Sequence, residues 1–458
     1  MRDRSETRPP EGRMEDYRAI ADGIAADIAA GRIRPGRRLP PQRGFARERG
    51  IAPSTAARVY RELARRGLVT GEVGRGTYVR AGRPPADPPL AEPGGALVDL
   101  ELNYLPPGEW GGRVAAAVGR VLRRGALEAA LRPAGAAGGP ALRAAAAGVA
   151  ARGGWAPDPE GALFAGNGRQ AIAAALSALV PTGGRVAVEN LTYPVVKGIA
   201  ARLGITLVPV AVDEEGMDPG ALRRAHRSAP LDAVYLQPTL HNPLGTTMPP
   251  QRRARIAGAL EELDLYAVED AIYAFLKPGP EPLAARAPGR VVLVDSLSKR
   301  VAPGLTLGIA CAPPALRGRV AAALRSGAWA ATGFAQEAAA ELIADGAVGE
   351  LERARRETAA RRQAIAAERL AGFDVTADAG AFHCWWRLPE PWRDEPFTAA
   401  AARLGIAVSP ASAFTAVRGG APPAVRLALV APAEEELASA LDALAHLART
   451  GPEESGPD

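Results

Sequence analysis

The sequence is poor in cysteine and has no long apolar run. Its two cysteines, Cys311 and Cys384, lie far apart among 458 residues, which excludes a disulfide framework and favours a reducing compartment. No uncharged stretch reaches the ~18 to 20 apolar residues of a membrane helix, and the first fifteen residues lack the apolar core of a signal peptide. We therefore expect a cytoplasmic protein that is neither secreted nor membrane-embedded.

Lysine is also scarce. The 56 basic residues comprise 53 arginines and three lysines, Lys197, Lys277 and Lys299. Because guanidinium does not lose its proton at usable pH, arginine cannot form a Schiff base, whereas a lysine amine can. Each lysine is therefore a candidate for chemistry that arginine cannot perform.

Basic charge is concentrated at the N-terminal end. Residues 1–83 hold 19 Arg and no Lys against 10 Asp and Glu, which gives +9 and leaves −3 for the rest of a chain whose net charge is +6. A polyanionic partner is therefore expected at this end, although an arginine-rich surface that is simply solvated is the alternative.

Patterns in the first 80 residues predict a winged helix-turn-helix at 14–80. Apolar residues recur at helical spacing, and two β-prone runs surround a glycine-rich loop. The predicted elements are a first helix at 14–30, a turn at 35–36, a second helix that ends near residue 50, a third that opens at 52–55, and strands at 68–70 and 77–79.

The third predicted helix, PSTAARVYREL, can direct Val59 and Leu63 inward while its polar residues face outward. Arginines of the second helix are placed to meet phosphate, so binding is expected to weaken steeply with salt. The residues predicted to face DNA are Arg43 and Arg47 on the second helix and Ser54, Thr55 and Arg58 on the third.

Residues 17–79 resemble the GntR winged-helix family over nearly the whole domain. The resemblance rests on the turn after Gly31, on Leu39-Pro40 ahead of the second helix, on PSTAARVYREL and on the wing GRGTYV. It implies that Arg43, Thr55, Arg58 and the wing-tip Gly76 approach double-stranded operator DNA. The alternative is a winged helix used only for protein contacts.

Beyond a Pro-rich linker at 81–97, strand-like runs alternate with helical stretches. This alternation predicts a largely parallel sheet covered on both faces, with a ligand at the carboxyl ends of the strands. A smaller α/β unit is expected from about residue 330, with one long helix at about 337–370. The predicted strands lie at 185–189, 206–210, 233–236, 265–269, 291–295 and 307–310.

The strongest chemical signal is the segment from Asp295 to Gly304, DSLSKRVAPG. Lys299 follows a buried strand, where a site is expected, and the hydroxyls of Ser296 and Ser298 suit a phosphate. Alone, such a lysine is more often on the surface, but four further motifs in order favour a site. The first is a glycine turn that opens a helix at 166–172 and suits phosphate, and the second is Tyr193 after a strand, which is either an aromatic face for a heterocycle or an ordinary packed tyrosine. The third is Asn242 in a turn, where it is able to donate to a phenolate. The fourth is Asp270 with Tyr273, in which the buried carboxylate suits a protonated pyridine nitrogen.

Together these motifs resemble the fold-type I, aspartate-aminotransferase-like family over about residues 98–448. The resemblance implies an α/β domain with a smaller C-terminal α/β subdomain, and pyridoxal 5′-phosphate as cofactor, with no metal. The implied roles are Lys299 for the Schiff base; Asp270 for the pyridine nitrogen; Asn242 and Tyr273 for the ring hydroxyl; Tyr193 for stacking; Gly168, Arg169, Ser296 and Ser298 for the phosphate; and Arg426 for a substrate or effector carboxylate, unless it is a salt-bridged surface arginine.

Two departures from that family stand out. Where its members usually have a phosphate-binding arginine seven residues after the lysine, this sequence has Thr306, and Arg169 could supply the missing charge. Residues 126–142 contain no aromatic that could serve as the tyrosine usually donated by a partner subunit. Both departures put high catalytic turnover in doubt.

A GntR-like head joined to an aminotransferase-like body resembles the MocR subfamily of transcription regulators. That resemblance implies a homodimer that responds to pyridoxal phosphate or to its adduct with a small amino compound. Two alternatives stay open: an active aminotransferase with a vestigial head, and a regulator whose body no longer binds the cofactor. We expect sensing rather than turnover.

Overall fold

The computed structural model describes residues 17–29, 32–33, 37–65, 68–72, 76–79, 96–105, 108–416 and 421–450. The chain divides into two compact units, residues 1–86 and 87–458. The predicted turn at 35–36, most of the predicted linker (81–95) and the outermost positions of the predicted first helix (14–16 and 30) lie outside the described residues.

The first unit has the predicted order of elements. Val59 and Leu63 are fully buried, so the inward face of the third helix is the core of this small domain. The second helix ends at Gly50, whose φ of 65° is a left-handed conformation that favours glycine. Its elements are α1 (Tyr17–Ala29), α2 (Gln42–Arg49), α3 (Pro53–Arg65), and the antiparallel pair β1 (Val69–Glu72) and β2 (Gly76–Val79).

The larger unit is built on a mixed sheet of seven strands with one antiparallel member, β12. Its central strands are buried along their whole length, as expected of a sheet covered by helices on both faces. In spatial order the strands are β4 (Ala162–Ala165), β12 (Gly308–Cys311), β11 (Val291–Ser296), β10 (Tyr266–Asp270), β9 (Ala233–Leu236), β5 (Arg185–Glu189) and β6 (Thr206–Val210).

Six of these seven strands match the predicted runs to within one residue. Strand β4 was not predicted, since four residues flanked by glycine-containing turns give too short a signal. Two further strands, β7 (Val212–Asp213) and β8 (Gly216–Met217), form a short hairpin.

A second sheet of five strands combines four strands from the C-terminal part of the chain with an edge strand from residues 98–100. The sequence did not predict this strand pairing, because residues 98–100 pair in parallel with a strand some 300 residues later. In spatial order the strands are β13 (Asp374–Ala377), β14 (His383–Arg387), β16 (Ala424–Ala428), β15 (Ile406–Pro410) and β3 (Val98–Leu100).

The single helix predicted at about 337–370 is two helices. Gly346, with a φ of 78°, interrupts it between α13 and α14. No helix in the described ranges is both long and apolar enough to cross a membrane. The helices of this unit are α4 (Gly111–Val121), α5 (Arg124–Ala130), α6 (Pro140–Ala150), α7 (Gly168–Leu179), α8 (Pro194–Leu203), α9 (Pro219–Ser228), α10 (Pro250–Glu262), α11 (Leu283–Arg286), α12 (Pro314–Ser326), α13 (Gly333–Ala344), α14 (Ala347–Arg369), α15 (Asp394–Arg403), α16 (Ala411–Phe414) and α17 (Glu434–Thr450).

Candidate ligand pocket and DNA-binding surface

The carboxyl ends of β9, β10 and β11 bring the predicted site residues together. Asp270 is the last residue of β10 and Ser296 the last of β11. Because parallel strands end at the same edge of a sheet, side chains that are far apart in sequence meet here.

Asp270 is a buried carboxylate with three hydrogen bonds. Its Oδ2 accepts from the Tyr235 hydroxyl at 2.7 Å and from Gln237 Nε2 at 2.8 Å, and its Oδ1 accepts from the Ile272 amide at 3.1 Å. Burial nevertheless raises the pKa of Asp270 to about 6. A cation placed beside this carboxylate would restore the solvation that burial removes.

Lys299 lies partly buried just after β11, and its Nζ donates to the backbone carbonyl of Asn103. Burial, reinforced by the positive charges of Arg426 and Arg169, lowers the pKa of Lys299 to about 7, while Asp270 opposes the shift. At neutral pH a large fraction of this lysine is therefore the nucleophilic free amine.

Three hydroxyl groups cluster beside the first turn of α7. Ser296 Oγ lies 3.0 Å from both Ser298 Oγ and Thr306 Oγ1. The Gly168 position is close to them, because a Cβ there would lie 3.2 Å from Ser296 Cβ. Gly308 packs against the Asn167 carbonyl, which leaves no room for a Cβ at position 308. Hydroxyls and the free amides of a helix N-terminus together suit an anion.

Arg169 is exposed on the first turn of α7, and its Nε donates to the Tyr193 hydroxyl at 3.3 Å. The positive charge of Arg169 also acts on Lys299, whose pKa it lowers. Burial raises the pKa of Tyr193, so its hydroxyl stays protonated.

Arg426 is 5% exposed, and its positive charge acts on Lys299. Its guanidinium donates to Asn242 Oδ1 at 3.3 Å, to Ser409 Oγ at 2.8 Å and to the Glu101 carbonyl. Arg426 is therefore not a surface arginine in a salt bridge. Its Nε is buried without a hydrogen-bond partner among the described residues.

In the first unit, the predicted DNA-facing side chains lie on the side of α2 and α3 away from the core. Arg43, Arg47, Ser54 and Arg58 are exposed and Thr55 is half-buried. Gly76 lies at the start of β2. An exposed row of arginines and hydroxyls beside a buried Val59 and Leu63 is the arrangement that a recognition helix needs.

Comparison with known proteins matches both parts of the chain. Residues 16–79 match the family described as bacterial regulatory proteins, gntR family, and residues 109–444 match aminotransferase class I and II. An uncharacterized HTH-type transcriptional regulator of Bacillus subtilis, YdeF, is 30% identical over 94% of both chains. A regulator of the same kind from Escherichia coli, YdcR, is 26% identical over 88% of this chain and 92% of its own. The chain belongs to the MocR subfamily of GntR-type regulators.

Solved structures agree with the fold of the body of this MocR-type protein. An archaeal alanine:glyoxylate aminotransferase superposes with a TM-score of 0.70 at 23% identity, covering 77% of this chain and 91% of its own. LysN of Thermus thermophilus, an α-aminoadipate aminotransferase solved with N-(5′-phosphopyridoxyl)-L-leucine, superposes with a TM-score of 0.68 at 26% identity over 77% and 92%. The body is a fold-type I aminotransferase domain, and the head is a DNA-binding winged helix.

Membership of aminotransferase class I and II implies pyridoxal phosphate as the cofactor, and the residues present fit it. Asp270 is a buried carboxylate with no salt bridge among the described residues, Lys299 is an amine of lowered pKa, and the hydroxyl cluster with α7 offers anion donors. Asn242 accepts a hydrogen bond from Arg426, and the charge of Arg426 acts on Tyr273. If bound here, the cofactor would offer its aldehyde to Lys299 and its protonated ring nitrogen to Asp270.

Sequence reasoning missed several residues of this MocR pocket. Tyr235 and Gln237 hold Asp270, Asn103 touches Lys299, and His383 lies behind Asn103. Tyr235 and Gln237 could have been found, because they flank the end of a predicted strand. Asn103 and His383 come from segments with no motif, so only the fold reveals their position.

Proposed function

We propose that this homodimeric MocR-type regulator binds pyridoxal phosphate through a Schiff base at Lys299 and changes its operator binding when an amino compound displaces that linkage. In this proposal Asp270 pairs with the ring nitrogen, Asn242 and Tyr273 contact the ring hydroxyl, and Tyr193 stacks on the ring. Gly168, Arg169, Ser296 and Ser298 hold the phosphate, and Arg426 grips the effector carboxylate by paired hydrogen bonds.

Two hydrogen bonds to one backbone segment support a change in operator binding when ligand binds. Both residues that would engage ligand, Lys299 and Arg426, donate hydrogen bonds to the backbone of the same segment, at Asn103 and Glu101. This segment follows the sequence that joins the two units. A ligand that takes over either donor would weaken the hold of Lys299 or Arg426 on this segment, and an effect that differs between two conformations shifts the equilibrium between them.

The test is operator footprinting upstream of the protein's own gene, with and without pyridoxal phosphate and a panel of amino acids. A ligand-dependent change in the affinity for operator supports the sensor. Because Lys299, Asp270 and Arg426 share one pocket, keto-acid release is followed in parallel, and sustained turnover without any change in DNA affinity would favour the aminotransferase alternative.

The rate of Schiff-base formation is expected to depend on pH with a midpoint near 7. Since the pKa of Lys299 is lowered to about 7, the amine is mostly protonated below that pH and free above it, so the rate falls on acidification and levels off above about pH 8. Stopped-flow absorbance on mixing with pyridoxal phosphate measures this rate. A rate that keeps climbing steadily to pH 10, as for an ordinary lysine, would show that the pocket does not activate the amine.

Arg169→Ala is expected to weaken binding of pyridoxal phosphate by about tenfold to a hundredfold, the effect of losing a hydrogen bond to a charged group. Binding of pyridoxal, which lacks the phosphate, is the matched control and is expected to change little. Thr306→Arg in the same background restores the arginine that the family usually carries and is expected to recover affinity. Unchanged affinity in Arg169→Ala would refute the charge replacement.

A further inference from the structure

Next to Lys299, three side chains and a backbone carbonyl form a continuous hydrogen-bonded chain. His383 Nε2 lies 3.0 Å from the His241 carbonyl oxygen, and His383 Nδ1 lies 3.3 Å from Asn103 Nδ2. Asn103 Nδ2 also donates to the Tyr273 hydroxyl at 3.2 Å. Asn103, Tyr273 and His383 are each at most 4% exposed, so water does not compete for these hydrogen bonds.

The carbonyl end of this chain decides the direction of every hydrogen bond in it. A carbonyl oxygen only accepts, so His383 Nε2 must carry the proton that it shares with His241. His383 is neutral at pH 7, because burial and the charge of Arg426 lower its pKa to about 3. A neutral imidazole with a proton on Nε2 has a lone pair on Nδ1, which therefore accepts from Asn103.

That acceptor in turn orients the Asn103 amide. Only the NH2 end of the amide can donate to His383 Nδ1, and its second proton then points at the Tyr273 hydroxyl oxygen. Rotating the amide by 180° would set Oδ1 against the Nδ1 lone pair. Asn103 Oδ1 has no hydrogen-bond partner among the described residues, so the two contacts of the NH2 end set the orientation of the amide.

We propose that Asn103 and His383 are positioning residues that make the Tyr273 hydroxyl a hydrogen-bond donor toward the pocket. Since Tyr273 already accepts from Asn103, its own proton is left to point at the ring oxygen of the cofactor. This inference rests on the proposed function for the identity of the acceptor. Neither Asn103 nor His383 needs to touch the cofactor.

Charged and titratable groups around the chain support this arrangement. Burial raises the pKa of Tyr273, so the hydroxyl keeps the proton that it is to donate. The cations of Arg426 and Lys299 oppose protonation of His383. The groups that act on Tyr273 or His383 are Arg426 on β16, Tyr193 ahead of α8, Asp270 on β10, Lys299 after β11 and His241 after β9.

The hydrogen-bonded relay formed by the His241 carbonyl, His383, Asn103 and Tyr273 is tested by a pH titration of the Schiff-base absorbance in the protein loaded with pyridoxal phosphate. A hydrogen bond donated to the ring oxygen draws electron density from the Schiff-base nitrogen and lowers its affinity for a proton. Asn103→Ala and His383→Phe free the Tyr273 proton to turn elsewhere, so the midpoint of the absorbance titration is expected to rise by about one pH unit, the effect of roughly one hydrogen bond. His446→Phe, an exposed histidine on α17, is the control and is expected to leave the midpoint unchanged.

A double-mutant cycle separates this role from a general structural one. Tyr273→Phe is expected to raise the midpoint by a similar amount, and adding Asn103→Ala to it is expected to produce no further rise. The relay is overturned if Asn103→Ala leaves the midpoint unchanged, or if its effect persists in full when Tyr273 is phenylalanine.

A measurement without cofactor distinguishes failure of the relay from failure of the proposed function. The chain has four histidines, so ¹⁵N-histidine labelling gives four imidazoles, and His383→Phe assigns one of them. His383 is expected to carry its proton on Nε2 and to stay neutral down to about pH 4, because its pKa is lowered to about 3. An Nδ1-protonated His383, or one that titrates near pH 6.5, overturns the relay whether or not the wild type binds pyridoxal phosphate.

Discussion

Replacing Lys299 with alanine is expected to abolish the Schiff-base absorbance completely and to make operator binding indifferent to pyridoxal phosphate. Lys299 is the one lysine that shares the pocket with Asp270 and Arg426, and arginine cannot replace its chemistry. Lys299→Arg, which keeps the positive charge, is therefore expected to fail as fully as Lys299→Ala. Absorbance spectra and operator titrations of the purified variants measure both effects.

Lys277→Ala is the matched control for this loss. Lys277 forms an ion pair with Asp378 away from the hydroxyl cluster, and its removal is expected to leave the spectrum and the ligand response unchanged. Lys299→Ala is also expected to bind operator like the ligand-free wild type. A variant that lacks Lys299 and still responds to pyridoxal phosphate would show that the response does not pass through a Schiff base.

The second large effect is expected on the DNA-binding surface. Arg43→Ala and Arg58→Ala together are expected to weaken operator binding by roughly a hundredfold or more, because each removed contact costs about 1 to 3 kcal/mol. Arg43, placed to meet phosphate, is expected to weaken binding to all sequences alike and to reduce the dependence on salt by about one counterion. Arg58, on the recognition helix, is expected to change which sequences are preferred.

Fluorescence anisotropy with operator and unrelated duplexes over a salt series measures these changes. Arg32→Ala is the control, since Arg32 is an exposed arginine of the same unit held by Asp27 at 2.8 Å. If the double variant binds operator as tightly as the wild type, α2 and α3 do not form the DNA-binding surface.

Local sequence patterns predicted the positions of helices and strands better than they predicted which strands pair with each other. The runs that became β5 and β9 were visible because a strand buried on both faces is a continuous apolar run. The break at Gly346 was missed because a glycine within an alanine-rich helical pattern is ambiguous until its positive φ is seen. The pairing of β3 with β15 is set by tertiary packing, which no local pattern encodes.

In the pocket too, residues marked by a local pattern were predicted, whereas residues brought in by tertiary packing were not. Lys299, Asp270, Asn242 and Tyr193 were located from sequence because each lies at the end of a strand or after it, and strand ends converge in this class of fold. Asn103 has no such marker, since it follows the short β3 of the other sheet and meets Lys299 only in three dimensions. The roles assigned to these residues remain predictions, and the variants above test them.

Lys299 Nζ is the one amine expected to form a covalent bond with the cofactor aldehyde. Borohydride reduction of the protein loaded with pyridoxal phosphate, followed by peptide mass spectrometry, identifies the bonded lysine, because the chain has three lysines and two of them serve as internal controls. Added mass is expected on the peptide with Lys299 and not on those with Lys197 and Lys277. Added mass at either of the other two, with Lys299 unmodified, would rule out Lys299 as the Schiff-base lysine.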